Sequence, residues 1–170
     1  MNDDDHAEHH GDSWRLLDSR AHCRAAIREL LAEAATRGCR ELWLCDTEYL
    51  DWPLGERDVI DSLSRWALPH RRLTLLASSF EAIAQRHPRW VDWRRAWSHV
   101  VECRLLDDIE PDRVPGLLLA SGIAALRIAD RVHGRGSLSH ETADLVRCRE
   151  AVDALMQRSV ESFPPTALGL

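Results

Sequence analysis

The sequence predicts a three-layer α/β/α sandwich with a mixed β-sheet, on three observations. Segments with helical apolar spacing alternate with short apolar strands through the early part of the chain, an order typical of α/β domains. The strand segment over 41–46 is apolar without interruption at its centre, as expected of a strand that is covered on both faces. Two further apolar runs then flank Ser121-Gly122, which favours a hairpin and hence an antiparallel part of the same sheet.

The first element is an amphipathic helix over residues 20–37, in which apolar residues recur at steps of three and four. Gly38 stands where a left-handed cap would end that helix. A buried strand follows over 41–46, and Trp52-Pro53-Leu54-Gly55 is typical of a loop. The next predicted elements are a helix that ends before Pro69, a strand over 73–77, a short helix over 80–85, a helix over 88–98 and a strand over 100–106.

The second half of the chain is predicted to complete the sheet and to close it with a helix. A proline-marked loop over 111–115 leads into strands over 117–120 and 124–128. Residues 134–139 are predicted as a loop, and the closing helix covers 141–160.

Composition indicates one folded domain. The hydrophobic fraction is 45% and the charged fraction 29%, which are ordinary values for a globular protein. No apolar run approaches the roughly 20 residues that cross a bilayer. The segment Met1–Asp5 is acidic, where a secretory signal would be basic and then apolar. We therefore expect a cytoplasmic protein that makes no membrane contact.

Three segments are predicted: an acidic, His-rich tail over 1–13, a folded domain over 14–162 and a short tail over 163–170. The first tail holds most of the excess negative charge behind the formal net charge of −6. His6, His9 and His10 could take up zinc or nickel, but without a fixed geometry such binding is more often incidental. We therefore expect no metal site there.

The five cysteines are scattered, without a Cys-x-x-Cys pair. An odd number with no framework spacing argues against a disulfide scaffold, so small buried side chains are the favoured interpretation. The chain also lacks the Gly-x-Gly-x-x-Gly, P-loop, His-Glu-x-x-His and Gly-x-Ser-x-Gly motifs. No cofactor is therefore expected.

Local features accompany this order of elements: the leading helix, the strand ending Leu44-Cys45-Asp46, and the segment Arg86-His87-Pro88-Arg89-Trp90 before a strand ending Glu102-Cys103-Arg104. Over residues 14–162 the chain resembles a single-module bacterial domain of the phospholipase D superfamily. The resemblance implies a phospholipase D-like half-module. It also implies a homodimer, because the active cleft of that family lies between two modules.

Catalytic members of that superfamily carry His-x-Lys, then four residues, then Asp, at the entry to a strand. The resemblance places Val114 at the histidine position, Gly116 at the lysine position and Ser121 at the aspartate position. None offers the nucleophile, the phosphate clamp or the carboxylate. All 22 basic residues are arginine, so no register of the chain contains this motif. We therefore expect no catalytic residues and interpret the chain as a non-enzyme.

The richest candidate binding segment is residues 86–99, with three tryptophans at helical spacing between basic residues. The favoured interpretation is that the tryptophan face packs on the sheet while the arginines lie in water. The alternative is a strip that stacks bases or grips phosphates. Its candidate ligand-binding residues are Arg86, His87, Arg89, Arg94 and Arg95.

Asp46 is a further candidate, because open α/β sheets bind ligands beyond the carboxyl ends of their strands. His87 is interpreted mainly as a residue that satisfies the core or begins a helix.

Three functions remain open. The first is an inactive phospholipase D-like domain that acts as a binding or regulatory module, through a protein partner or a second copy of itself. The second is a protein that binds nucleic acid or a phosphate ligand through the segment 86–99, although the acidic net charge gives this no support. The third is a diverged hydrolase that uses His87 with Asp46.

Overall fold

The apolar runs predicted as buried strands lie at the centre of one mixed sheet in the computed structural model, which describes residues 13–164. The eight strands of this part of the chain are β1 (Trp14–Leu17), β2 (Glu41–Asp46), β3 (Arg72–Ala77), β4 (Val101–Leu105), β5 (Gly116–Ala120), β6 (Ala124–Asp130), β7 (Arg135–Ser139) and β8 (Val160–Glu161). Their order in the sheet is β1-β7-β6-β5-β2-β3-β4-β8. Only β2, β3 and β4 run parallel, and the remaining pairs are antiparallel.

Helices cover both faces of the sheet, which confirms the predicted three-layer sandwich. The helices in the described residues are α1 (Arg20–Arg37), α2 (Arg57–Trp66), α3 (Glu81–Arg86), α4 (Pro88–Ala96) and α5 (Thr142–Gln157). The first four pack on one face around the larger apolar core, and α5 packs on the other face around a smaller core. A short 3₁₀ turn, Pro111–Arg113, precedes β5.

The predicted boundaries of α1 are confirmed by both of its caps. The Ser19 side chain accepts a hydrogen bond from the backbone N–H of His22, 3.2 Å away. Gly38 ends the helix with φ of +75°, and its N–H donates to the carbonyl of Ala34 over 2.8 Å. The first turns of α1 lie beside the end of β2, since Arg20, Cys23 and Ile27 line the same cavity as Asp46.

Several predicted boundaries are wrong. Residues 134–139 were expected to be a loop and instead contain the whole of β7, and the short edge strands β1 and β8 were not predicted. The helix expected over 141–160 ends at Gln157. Phe163, assigned to a C-terminal tail, stacks on the ring of Phe80 with 5.5 Å between ring centres. Residues 1–12 and 165–170, which include most of both predicted tails and the histidine cluster, lie outside the described part.

The prediction that the cysteines are small buried side chains is confirmed for all five. Burial raises the pKa of Cys45 and of Cys103 to about 12, so both are neutral thiols. Within the same described residues, no helix combines the length and the apolar character needed to cross a membrane.

Candidate functional site

The carboxyl end of β2 carries a buried carboxylate with two side-chain donors. Asp46 is 6% exposed. The Trp52 indole N–H donates to its Oδ2 atom over 3.0 Å, and Arg131 Nε donates to its Oδ1 atom over 2.6 Å. Arg131 also donates to the backbone carbonyl of Val114. One arginine from the β6–β7 turn therefore links the end of β2 to the entry of β5.

A cavity of about 240 Å³ opens beside this network, and we call it the Asp46 cavity. It lies between the first turns of α1, the loop after β2 and the β6–β7 turn. The residues that line it are Arg20, Cys23, Ile27, Asp46, Thr47, Leu50, Asp51, Trp52, Ile128, Arg131, Val132 and Gly134. An apolar wall thus meets a few polar groups, which is the usual composition of a small-molecule site.

The charged groups around the Asp46 cavity are paired with each other. Arg20 Nε lies 3.4 Å from Asp51 Oδ2 at the exposed rim, and Arg131 holds Asp46 deeper inside. Cys23 donates its thiol to the carbonyl of Gly134 over 3.3 Å, and burial raises its pKa. The thiol is therefore neutral, and the cavity is lined by two carboxylates and two guanidinium groups.

His87 holds the loop after β2 in place. Its ring is 6% exposed, and its Nε2 atom lies 2.8 Å from the carbonyl of Tyr49, to which it donates. Burial is the main cause that lowers its pKa, so the ring is neutral. Its hydrogen bond goes to the Tyr49 backbone and not to Asp46. This geometry supports the interpretation of His87 as a buried residue whose hydrogen bond stabilises the core. His87 and Asp46 do not form an acid–base pair in this arrangement.

The segment 86–99 does not form the strip expected of a base-stacking surface. Trp90 and Trp93 are buried in the larger core, as in the favoured interpretation. Arg94, expected in water, is 4% exposed. The expectation for Arg94 is wrong because its side chain lies against β4, next to Cys103.

The other arginines of this segment are exposed. Arg89 donates to the carbonyl of Gly55 over 2.6 Å, and Arg95 pairs with Asp92 over 3.0 Å. Arg86 and His87 line a separate depression, which shares Trp52 with the Asp46 cavity. The structure therefore does not gather the six candidate residues into one site.

The positions that the catalytic motif would occupy are filled by packing. Val114 has no exposed surface and belongs to the smaller core. A side chain at Gly116 would place its Cβ atom 2.8 Å from the Cβ atom of Ile128 on the paired strand. Ser121 lies at the opposite end of β5, where its N–H donates to the Glu41 carbonyl over 3.1 Å. Val114 and Gly116 are therefore closely packed at the two positions that the resemblance assigns to the histidine and the lysine.

Sequence reasoning missed Arg131, which completes the site. It lies in a turn, and only the tertiary structure brings it to Asp46, 85 residues away in the chain. Arg20 and Asp51 were missed for the same reason. The useful signal in the sequence was the position of Asp46 at a strand end.

No family model and no curated protein sequence matches the chain. Solved structures do match. An archaeal chromatin protein, TrmBL2, superposes with a TM-score of 0.64 at 13% identity, over 89% of this chain and 54% of TrmBL2. NucT from Helicobacter pylori superposes with a TM-score of 0.56 at 7% identity, over 88% of this chain and 98% of NucT. The phospholipase D family member Nuc from Salmonella typhimurium gives 0.49 at 5% identity, over 79% and 90% of the two chains.

These likenesses concern the fold. The chain is an α/β module that shares its fold with TrmBL2 and NucT at low sequence identity. It spans nearly the whole of NucT and about half the length of TrmBL2, whose structure was described as showing a novel mode of DNA binding.

Proposed function

We propose that the chain is a catalytically inactive phospholipase D-like module that binds a small ligand in the Asp46 cavity and acts as a regulatory domain. The observation that carries this proposal is the contrast between two neighbouring places. Val114 and Gly116 are closely packed at the positions that the resemblance assigns to the catalytic histidine and lysine, while the adjoining Asp46 cavity is open and is lined by charged side chains.

The cavity favours a small ligand with an apolar body and both donors and acceptors. Its volume of about 240 Å³ lies just below the usual range for drug-sized ligands. Asp46 accepts and Arg131 donates, so a ligand hydroxyl or amide could insert between them and replace part of their mutual contact. Because Arg131 also bonds the backbone of Val114, such a ligand would shift the β6–β7 turn.

Absence of catalysis is tested with bis(p-nitrophenyl) phosphate, a generic phosphodiester. We expect no turnover above the buffer rate, because no nucleophile stands at the position of Val114. Turnover that is abolished in a His87→Ala variant would contradict the non-enzyme proposal.

Ligand binding is tested by a thermal-shift screen of small polar metabolites against the wild type and a Val132→Trp variant. Val132 is 74% exposed at the cavity mouth, so the larger ring blocks entry without disturbing the core. Val146→Trp, 51% exposed on α5, is the matched control. We expect at least one compound to stabilise the wild type and the control but not Val132→Trp. Hits that stabilise all three proteins equally would place the site elsewhere.

The second candidate function is nucleic-acid binding. It is favoured by the DNA-binding neighbour TrmBL2 and by the exposed positions of Arg86, Arg89 and Arg95. The test is salt-dependent binding of a single-stranded oligonucleotide to the wild type and to a variant with all three arginines replaced by alanine. Absence of binding at low salt would end this candidate.

We also propose that the module self-associates. Trp14 on the edge strand β1 is 53% exposed, and Leu16 on the same strand is 67% exposed. A second copy is the partner that the resemblance to two-module proteins favours, and these two side chains would supply an apolar contact.

A further inference from the structure

Arg94 is a buried guanidinium group without a counter-ion among residues 13–164. Its Nε atom has no hydrogen-bond partner there. The nearby carboxylates are engaged elsewhere, because Asp92 pairs with Arg95 and Glu102 lies 3.0 Å from Arg104. Desolvation by burial is the main cause that lowers the pKa of Arg94. A buried charge in a protein is normally paired, so this arrangement requires an explanation.

The neighbours of Arg94 do not compensate its charge. The ring of Phe163 lies 4.8 Å from the guanidinium carbon. A cation–π contact of this kind offsets only part of the free-energy cost of removing a charge from water. The other neighbour is the Cys103 thiol, whose pKa of about 12 leaves it neutral. An anion that neutralises Arg94 would therefore have to come from a bound ligand.

A cavity of about 400 Å³ opens beside Arg94, and we call it the Arg94 pocket. It lies at the amino ends of the parallel strands, whereas the Asp46 cavity lies at their carboxyl ends. The residues that line it are Arg72, Arg94, Ser98, His99, Val100, Val101, Glu102, Cys103, Glu161, Ser162 and Pro164. Arg72 is exposed and, like Arg94, has no ion-pair partner in the described residues.

The charges of this pocket favour an anion with several oxygens. Two guanidinium groups and the His99 imidazole face it, with the hydroxyls of Ser98 and Ser162. On the acidic side, Glu102 is neutralised by Arg104, and Glu161 is an exposed residue at the rim. Guanidinium forks match the oxygens of a phosphate, and two of them balance its double negative charge better than the single charge of a carboxylate.

We propose that the Arg94 pocket binds a phosphate group. The phosphate belongs either to a small phosphorylated compound or to the backbone of a nucleic acid, since both present the same oxygens. This site is independent of the Asp46 cavity. It is also distinct from the exposed arginines of the second candidate function, because it depends on the one arginine of segment 86–99 that is buried.

The test compares Arg94→Met with Arg95→Met. The two positions are adjacent on α4, but Arg95 is exposed and paired with Asp92. Binding of inorganic phosphate is measured by titration calorimetry, and thermal stability is measured in phosphate and in chloride at equal ionic strength. We expect the affinity for phosphate to fall at least tenfold in Arg94→Met and to stay within twofold in Arg95→Met.

Stability without phosphate gives a second readout. Since Arg94→Met removes an uncompensated buried charge and keeps an apolar side chain of similar length, we expect its melting temperature in chloride to equal or exceed that of the wild type. Phosphate should raise the melting temperature of the wild type and of Arg95→Met only. If Arg94→Met does not fold, Arg72→Met at an exposed position provides the same comparison.

A single-stranded oligonucleotide distinguishes the two sources of phosphate. Arg94-dependent binding of inorganic phosphate without binding of the oligonucleotide supports a small phosphorylated compound. Arg94-dependent binding of the oligonucleotide supports a nucleic-acid backbone. Binding of neither probe, or equal binding by the wild type and Arg94→Met, overturns the proposal. The Val132→Trp variant should bind phosphate normally, so failure of the proposed ligand cavity and failure of this site remain distinguishable.

Discussion

Asp46 joins parts of the chain that no local interaction brings together. It accepts from Trp52 in the loop after β2 and from Arg131 in the β6–β7 turn. Removing the carboxylate leaves a buried indole N–H without a partner and frees an arginine whose side chain is 33% exposed. We expect Asp46→Ala to lower the free energy of unfolding by about 2 kcal/mol, since buried donors are costly to leave unsatisfied.

The measurement is urea unfolding, with Asp92→Ala as the control. Asp92 also pairs with an arginine, but its side chain is 73% exposed. An exposed pair of this kind contributes about 0.5 kcal/mol. Equal losses in the two variants would show that Asp46 does not organise the site.

His87 makes stability depend on pH. Burial lowers its folded-state pKa below the ordinary value of 6.5, so the unfolded chain binds the proton more readily. The stability from the neutral ring is therefore complete above pH 6.5 and is lost as the pH falls below that value. The slope due to this residue is at most about 1.4 kcal/mol per pH unit.

The variant His87→Gln tests this dependence, because its side-chain amide can still donate to the Tyr49 carbonyl but does not titrate. We expect urea midpoints measured at pH 7.5 and 5.5 to differ less in His87→Gln than in the wild type. His99→Gln, at an exposed histidine, should behave as the wild type does. An unchanged difference in His87→Gln would mean that another group controls the pH response.

At the scale of elements, two turn glycines allow the cost of backbone strain to be distinguished from the cost of a steric clash. Gly122 in the β5–β6 hairpin and Gly134 in the β6–β7 turn have φ of +74° and +64°. A Cβ atom at Gly122 meets nothing within 4 Å, whereas one at Gly134 would lie 2.6 Å from the backbone nitrogen of Arg20 in α1. Both substitutions impose left-handed strain, but only one pushes a hairpin away from a helix.

We therefore expect Gly122→Ala to cost about 1 kcal/mol and Gly134→Ala roughly 1–3 kcal/mol more. Chemical denaturation of the two variants measures the difference. Because Gly134 also lines the Asp46 cavity, Gly134→Ala should weaken any ligand found for that cavity. Similar losses of unfolding free energy in the two variants would mean that the β6–β7 turn moves away from α1 at little cost.

The elements that the sequence predicted well are those whose own residues determine them. Strands β2 and β3 are largely apolar, β4 alternates apolar and polar residues, and α1 carries both a clear apolar face and a glycine cap. Each was predicted within one or two residues. Their signal is local, so no knowledge of the partner elements was needed.

The missed strands depend on their partners. β7 contains Gly136 and two serines, residues with weak strand preference, and it forms because β6 and β1 pair with its two sides. Gly136 is required there, since a Cβ atom would lie 2.1 Å from the Arg127 carbonyl oxygen. The same limit applies to the candidate site. Asp46 could be predicted from its strand end, but Arg131 comes to it only through the β6–β7 pairing.

For the whole molecule, the uncovered edge of the sheet bears on its assembly. Leu17 enters the larger core and Arg15 pairs with Glu29 of α1, so Trp14 and Leu16 face the opposite side. That is the side of α5, yet both remain exposed. We expect the wild type to be a homodimer through this face and Trp14→Glu/Leu16→Glu to be a monomer.

Light scattering coupled to size-exclusion chromatography measures the mass. Leu68→Glu, 47% exposed after α2, is the control for a general effect of adding charge, and it should remain a dimer. A monomer mass for the wild type at every protein concentration would contradict the expectation.

The five buried thiols are distributed over both apolar cores. Cys23, Cys39 and Cys103 belong to the larger core, and Cys45 and Cys148 belong to the smaller one. A thiol reagent modifies each of them only when the surrounding structure opens. The order in which they react in the native protein therefore reports which side of the sheet exchanges with solvent first. Mass spectrometry of the modified thiols therefore measures local unfolding at each cysteine, and no further label has to be introduced.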